Sequence, residues 1–294
     1  MTDPQKGALA MVAACVVWGL SPLYYAQLRH VPPLEVLSYR CLWSLVFFAG
    51  VLAAQGRLRL VAGALSDWRA VAVILSAAVM ISTNWFGFIF AVTNGYAVEA
   101  SLGYYIFPLL AVLLGRMFLA ERLSRAQGVA VGIAVIAVLV LTVGLGRAPW
   151  IALLLAASFG GYGLIKKRLA LGPVISVTAE VLLLAPLAVL WIALMGTHAG
   201  GDNALGTHLL LMLSGPLTAS PLVLFAYAAR RVRLSTIGVI QYVNPTLQFL
   251  CATLVFAEPF TQWHAIAFPL IWVALAIYTA SAVGQERASR RVVS

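Results

Sequence analysis

The chain has 294 residues, of which 63% are apolar and 10% charged, and it carries a formal net charge of +10 with a mean hydropathy of +0.99. That balance excludes a soluble globular protein. The basic residues lie in short clusters between long apolar runs, which is the pattern of membrane loops. The lipid bilayer is therefore the expected partner, and no nucleic acid is.

In chain order the apolar runs predict ten helices at 8–28, 34–54, 70–93, 97–118, 126–144, 148–164, 173–195, 207–228, 235–256 and 262–282. Ten crossings of about 20 residues take up about 200 and leave no room for a separate aqueous domain. The first run is too long for the core of a signal peptide and no small-residue cleavage site follows it, so it is kept as the first span.

Placing the N-terminus in the cytoplasm puts Lys6, Arg57, Arg59, Arg69, Arg116, Arg122, Arg125, Lys166, Lys167, Arg168, Arg230, Arg231, Arg233, Arg287, Arg290 and Arg291 on the inside. Only Arg29 and Arg147 fall outside, and Arg40 lies within a span. The bias of short loops toward internal Lys and Arg then fixes both termini as cytoplasmic and requires an even number of crossings.

Sliding the chain on itself by 137 positions pairs Phe88 with Phe225, Tyr105 with Tyr242, Pro108 with Pro245, Ala120 with Ala257 and Glu121 with Glu258. The proline-to-glutamate spacing is the same in both halves. The chain therefore divides into two five-helix repeats, 1–146 and 147–294. An odd number of spans per repeat makes the second copy enter the membrane from the opposite side, an inverted repeat of the kind secondary transporters use for alternating access. The expected fold class is an all-α integral membrane protein of ten transmembrane helices.

Prolines inside the fourth and ninth spans each remove a backbone hydrogen bond and free a carbonyl. Ser101, Gly103, Tyr104 and Tyr105 precede Pro108, and Gln241, Tyr242 and Asn244 precede Pro245. Such clusters present polar groups to a midplane cavity, although a simple kink with buried tyrosines explains them equally. The first span, with Trp18, Gly19, Ser21, Pro22, Tyr24 and Tyr25, and the sixth, with Gly160, Gly161, Tyr162 and Gly163, look interruptible. Asn84 beside Trp85 in the third span must face protein or water, and a structural interhelix bond is its plainer role. Trp18, Tyr25, Asn84, Trp85, Tyr104, Tyr105, Gln241, Tyr242 and Asn244 form the candidate substrate-binding set, with Pro22, Pro108 and Pro245 as helix kinks.

Arg40, Glu99 and Glu180 are candidate coupling or gating residues, since an ionisable group within a span is a functional candidate by default. Arg40 and Glu180 occupy equivalent repeat positions, each about 10 Å deep from opposite faces of a core about 30 Å thick, so that only stretched side chains would meet. They are expected to form a coupled pair, directly or through a polar intermediary, with protons as a possible partner and a fixed structural ion pair as the alternative. Glu99 begins the fourth span, where a carboxylate suits a helix N-terminus and capping is its simplest role.

Cys15, Cys41 and Cys251 lie in apolar runs without paired spacing. His30, His198, His208 and His264 lie in or beside loops without ligand spacing. No catalytic motif is present, so an enzyme, a metal and a cofactor are not expected. Gly128 and Gly132 form a GxxxG in the fifth span that permits close helix approach.

With Asn84-Trp85, the run Glu99-Ala100-Ser101-Leu102-Gly103-Tyr104 leading to Pro108, Gln241-Tyr242 through Asn244-Pro245-Thr246 to Glu258-Pro259-Phe260, and Arg40 with Trp43-Ser44, the chain resembles the EamA-type permeases of the drug/metabolite transporter superfamily. Within them it is similar to the RarD-like, chloramphenicol-sensitivity group. The resemblance covers nearly the whole chain and implies a ten-helix transporter of small metabolites in the bacterial inner membrane. Phe107 and Tyr39 depart from that group, which tends to carry Asn and His there, so substrate choice is open. The expected function is a secondary transporter, exporting small organic metabolites or drugs through a central cavity. A channel or a flippase for lipid-linked molecules is the alternative, and a membrane scaffold or intramembrane enzyme a third reading.

Overall fold

A computed structural model describes residues 2–120, 123–167, 169–195, 204–232 and 234–293, without the side chains of 234, 235 and 285–293. Glu121, His198, Arg122, Arg168 and Arg233, and the side chains of Arg287, Arg290 and Arg291, lie outside the described residues. The helices are α1 (Asp3–Ala26), α2 (Pro33–Ala54), α3 (Arg59–Ala64), α4 (Trp68–Thr93), α5 (Ala97–Leu119), α6 (Arg125–Leu145), α7 (Trp150–Lys166), α8 (Pro173–Met195), α9 (Ala204–Ala229), α10 (Leu234–Ile240), α11 (Val243–Leu250) and α12 (Gln262–Val293), with a π-helical turn over Cys251–Val255 after α11. No strand occurs among the described residues.

The protein is an all-α membrane protein. Among the described residues, eight helices are long and apolar enough to span a bilayer: α1, α2, α4, α5, α6, α8, α9 and the Gln262–Gly284 part of α12. The other two expected runs differ. The sixth is α7, apolar but only 17 residues long. The ninth is not one helix but α10, α11 and the π-helical turn in succession.

Proline chemistry explains that break. Pro245 has no N–H to offer the Gln241 carbonyl four residues earlier. That carbonyl is met instead by Asn244 N at 3.2 Å, and Tyr242 N bonds Val239 O at 3.3 Å, so the chain tightens and turns at Gln241-Tyr242. The expected interruptions of the first and sixth spans are absent, since α1 and α7 are continuous. In α1 the carbonyl that Pro22 orphans is that of Trp18, and the Ser21 hydroxyl donates to it at 2.6 Å, restoring the bond within the same turn. Pro108 likewise sits inside an unbroken α5.

Packing runs mainly between the two halves of the sequence. α1 lies on α9 and α11, α7 lies on α4 and α5, α2 meets α8 and α9, α4 meets α8, α5 meets α11 and α6 meets α12. Glycines set two of these contacts. A Cβ on Gly103 of α5 would lie 2.8 Å from the Ala152 carbonyl oxygen of α7, and one on Gly19 of α1 would lie 3.0 Å from that of Asn244 on α11. The GxxxG of α6 plays no such part, because positions 128 and 132 face open space within the chain.

Candidate functional site

Five of the candidate residues meet in one cluster. Arg40, on the buried side of α2 at 7% exposure, donates from Nη1 to the Tyr25 hydroxyl at 2.6 Å. Its guanidinium carbon lies 4.3 Å from the centre of the Trp85 ring and 5.8 Å from that of Tyr25. A cation held on a desolvated aromatic face gains roughly 2 kcal/mol, which offsets part of the cost of taking it out of water. On α4, Asn84 accepts from the Tyr104 hydroxyl at 3.0 Å and donates to the Leu155 carbonyl of α7 at 3.0 Å. This is the interhelix bond that a buried amide in lipid requires. Phe88 joins the two parts, its ring centre 5.8 Å from both Tyr25 and Tyr104.

The remaining candidates lie apart from this cluster. The Trp18 ring faces Phe225 at 6.5 Å. Tyr105 pairs its hydroxyl with Thr246 at 2.7 Å and packs on Phe268 and Trp272. The Tyr242 hydroxyl lies 3.5 Å from that of Thr279, and Asn244 accepts from Gln248 at 2.9 Å within α11. No hydrogen bond or ring contact among the described residues joins Trp18, Gln241 or Tyr242 to the Arg40 cluster.

The charges take partners other than those expected. Glu180, fully buried on α8, accepts from Lys166 Nζ at 2.7 Å, Ser176 Oγ at 2.8 Å and the Tyr162 hydroxyl at 3.1 Å. The direct bridge to Arg40 is therefore replaced by separate pairings, for a geometric reason: Lys166, at the last turn of α7, is long enough to reach the carboxylate on the neighbouring α8. What connects the two charges is a ladder of rings. From Tyr25 it passes through Phe88 and Tyr104 to Phe159, 6.1 Å from Tyr104, and then to Tyr162, 6.2 Å further.

Glu99 pairs with Arg147 at 3.0 Å rather than capping its helix. The cap of α5 is Glu258, whose carboxylate accepts the backbone N–H groups of Ala97 and Val98, both at 2.8 Å. Four residues that make these contacts are not among the sequence candidates: Lys166, Glu258, and the rings of Phe88 and Phe159. The i to i+14 spacing of Lys166 and Glu180 across the loop joining α7 to α8 was the available clue. Nothing local pointed to the Glu258 cap.

Residues 5–143 match the EamA-like transporter family. The chain is 42% identical over 292 residues to the uncharacterized transporter YojE of Bacillus subtilis, covering 98% of each. It is 43% identical over 291 residues to protein RarD of Streptomyces exfoliatus, covering 98% of this chain and 92% of that one. A solved crystal structure of a protein only 21% identical shares the fold, with a TM-score of 0.63 over 94% of this chain and 98% of that one. The chain thus belongs to the EamA-like transporter family, as a RarD-like permease and a multi-pass membrane transporter.

Proposed function

We propose that this permease is a secondary transporter that exports small organic metabolites or drugs by alternating access, with ten crossings arranged as two inverted five-helix repeats, 1–146 and 147–294. Its setting is the bacterial inner membrane, with both termini cytoplasmic. Neither enzymatic activity nor a nucleic-acid partner is part of this reading, and protons are the candidate coupling ion.

One observation carries the architecture: among the described residues, polar and ring contacts between the loops join only segments that ten crossings put on the same side. Outside, Glu258 meets Ala97, Glu99 meets Arg147, His30 meets Thr207 and Arg29 lies over Phe256. Inside, Asp3 meets Arg231 and Ser124 meets Ser281. Were α7 not a crossing, Asp3 and Arg231 would be assigned to opposite faces of the membrane. The packing also maps onto itself when the halves are exchanged: α1 on α9 corresponds to α7 on α4, and α1 on α11 to α7 on α5. That equivalence suits two access states of similar energy. For the site, the support is the cluster of Tyr25, Arg40, Asn84, Trp85 and Tyr104, which offers aromatic faces and hydrogen bonds; Trp18, Tyr105, Gln241, Tyr242 and Asn244 complete the proposed path, with Glu99 and Glu180 as gating or coupling groups.

The test is flux in proteoliposomes. A transporter gives saturable uptake and accelerated exchange against a preloaded solute, whereas a channel conducts in proportion to the gradient and a flippase moves only labelled lipid. Ohmic conductance without counterflow overturns the proposal.

A further inference from the structure

We infer that Arg40 is the anion-binding element of the transport path, and that the solutes carried are small organic monocarboxylates with an apolar or aromatic body. The inference rests on the transporter reading and names its substrate class.

The physical case begins with an imbalance. Arg40 is 93% buried in a membrane protein, yet no ion pair joins it to a carboxylate among the described residues; its neighbours are the Tyr25 hydroxyl and the faces of Tyr25 and Trp85. The buried carboxylate on the neighbouring helix, Glu180, is already neutralised by Lys166. Arg40 Nε is buried with no hydrogen-bond partner, and so is the hydroxyl of Ser44. The two stand at i and i+4 on α2 and therefore lie on one face, one turn apart. A guanidinium edge with a hydroxyl one turn away provides converging donors of the kind a carboxylate accepts.

The charge count selects the ligand. Among the described residues, Arg40 is the one cation in hydrogen-bond or ring contact with Tyr25 and Trp85. One positive charge balances a monoanion in a low-dielectric site, whereas a dianionic phosphate would be left with net charge. The surrounding rings of Trp85, Phe88 and Tyr104 suit an apolar or aromatic body beside the carboxylate.

The experiment uses the full-length protein in detergent. Binding of phenylacetate, indole-3-acetate and benzoate is measured by thermal shift, each against its neutral amide and with phenyl phosphate alongside. The acids are expected to bind about tenfold more tightly than their amides. Arg40→Gln should erase that preference, and Ser44→Ala, which breaks no existing bond, should reduce it about threefold without lowering the melting temperature of the free protein. If Arg40→Gln does not fold, the Ser44→Ala ratio decides. The inference is overturned if no acid outbinds its amide, if phenyl phosphate outbinds every acid, or if the preference survives the substitutions. Counterflow separates this from the parent reading. Acid preference without counterflow removes the transporter and keeps the anion site; counterflow without acid preference does the reverse.

Discussion

Ala120 and Ala257, 137 positions apart in the sequence, hold the same left-handed backbone, with φ of 54° and 50°. They are the described non-glycine residues with positive φ, and each is followed by a glutamate. A conformation that costs an L-residue about 1 kcal/mol or more persists only where the surroundings enforce it. In the second half the enforcing contact is visible: the turn at Ala257 delivers Glu258 to the N-terminus of α5.

Replacing Glu258 by Ala therefore removes two charge-assisted bonds from the start of α5. A loss of about 1–2 kcal/mol is expected, typical of deleting a helix cap. Reversible unfolding in detergent measures it, and a change under 0.3 kcal/mol would show the cap to be energetically idle.

The Lys166–Glu180 pair gives a sharper contrast. Removing only the cation, as in Lys166→Met, strands a fully buried carboxylate and is expected to cost about 3–5 kcal/mol. Adding Glu180→Gln to that variant should recover more than half of the loss, because the uncompensated charge is gone. A double variant no more stable than the single one would contradict the pairing.

Glycine substitutions test the helix contacts. Gly103→Ala forces a methyl to within 2.8 Å of the Ala152 carbonyl oxygen and should destabilise by about 1–3 kcal/mol. Gly128→Ala meets nothing within 4 Å and should be neutral or slightly stabilising, since Ala outranks Gly in a helix by about 1 kcal/mol. Melting temperatures of the two variants, compared side by side, decide the matter.

Tyr25→Phe keeps the ring under Arg40 but deletes the hydroxyl that receives its Nη1 proton. Uptake into vesicles of whichever solute the protein carries should fall at least threefold, while the folded yield is reduced modestly, as loss of a bond to a charged group costs about 1.5–3 kcal/mol. Unchanged uptake kinetics would place Tyr25 outside the site.

The all-helical membrane class is readable from sequence because bilayer crossing leaves a coarse signature, long apolar runs separated by short polar breaks. Asn84 was likewise readable, as a buried amide has to find partners, and it found Tyr104 and Leu155. What escaped depended on which face of a helix meets which neighbour. Glu258 and Ala97 are 161 positions apart, so no local pattern predicts their bond. The GxxxG of α6 and the single Gly103 of α5 differ only in what stands opposite them. Arg40 and Glu180 both lie within helices, as their position in the apolar runs predicts, but Glu180 pairs with Lys166 from the end of α7 rather than with Arg40.

The cross-half packing also bears on how the chain is made. α1 and α2 leave the ribosome long before α8, α9 and α11, the helices they rest on, have been synthesised. Helices that insert singly and associate later are tolerated in lipid only if their polar groups find temporary company. Arg40 would then wait in the bilayer with Tyr25 and Trp85 as its available shelter, and the Leu210 carbonyl that receives the Tyr24 hydroxyl at 2.7 Å comes 186 residues later. Assembly is thus a late event in translation. A stop codon after α9 would leave a product whose first helix lacks its glycine-matched seat on α11.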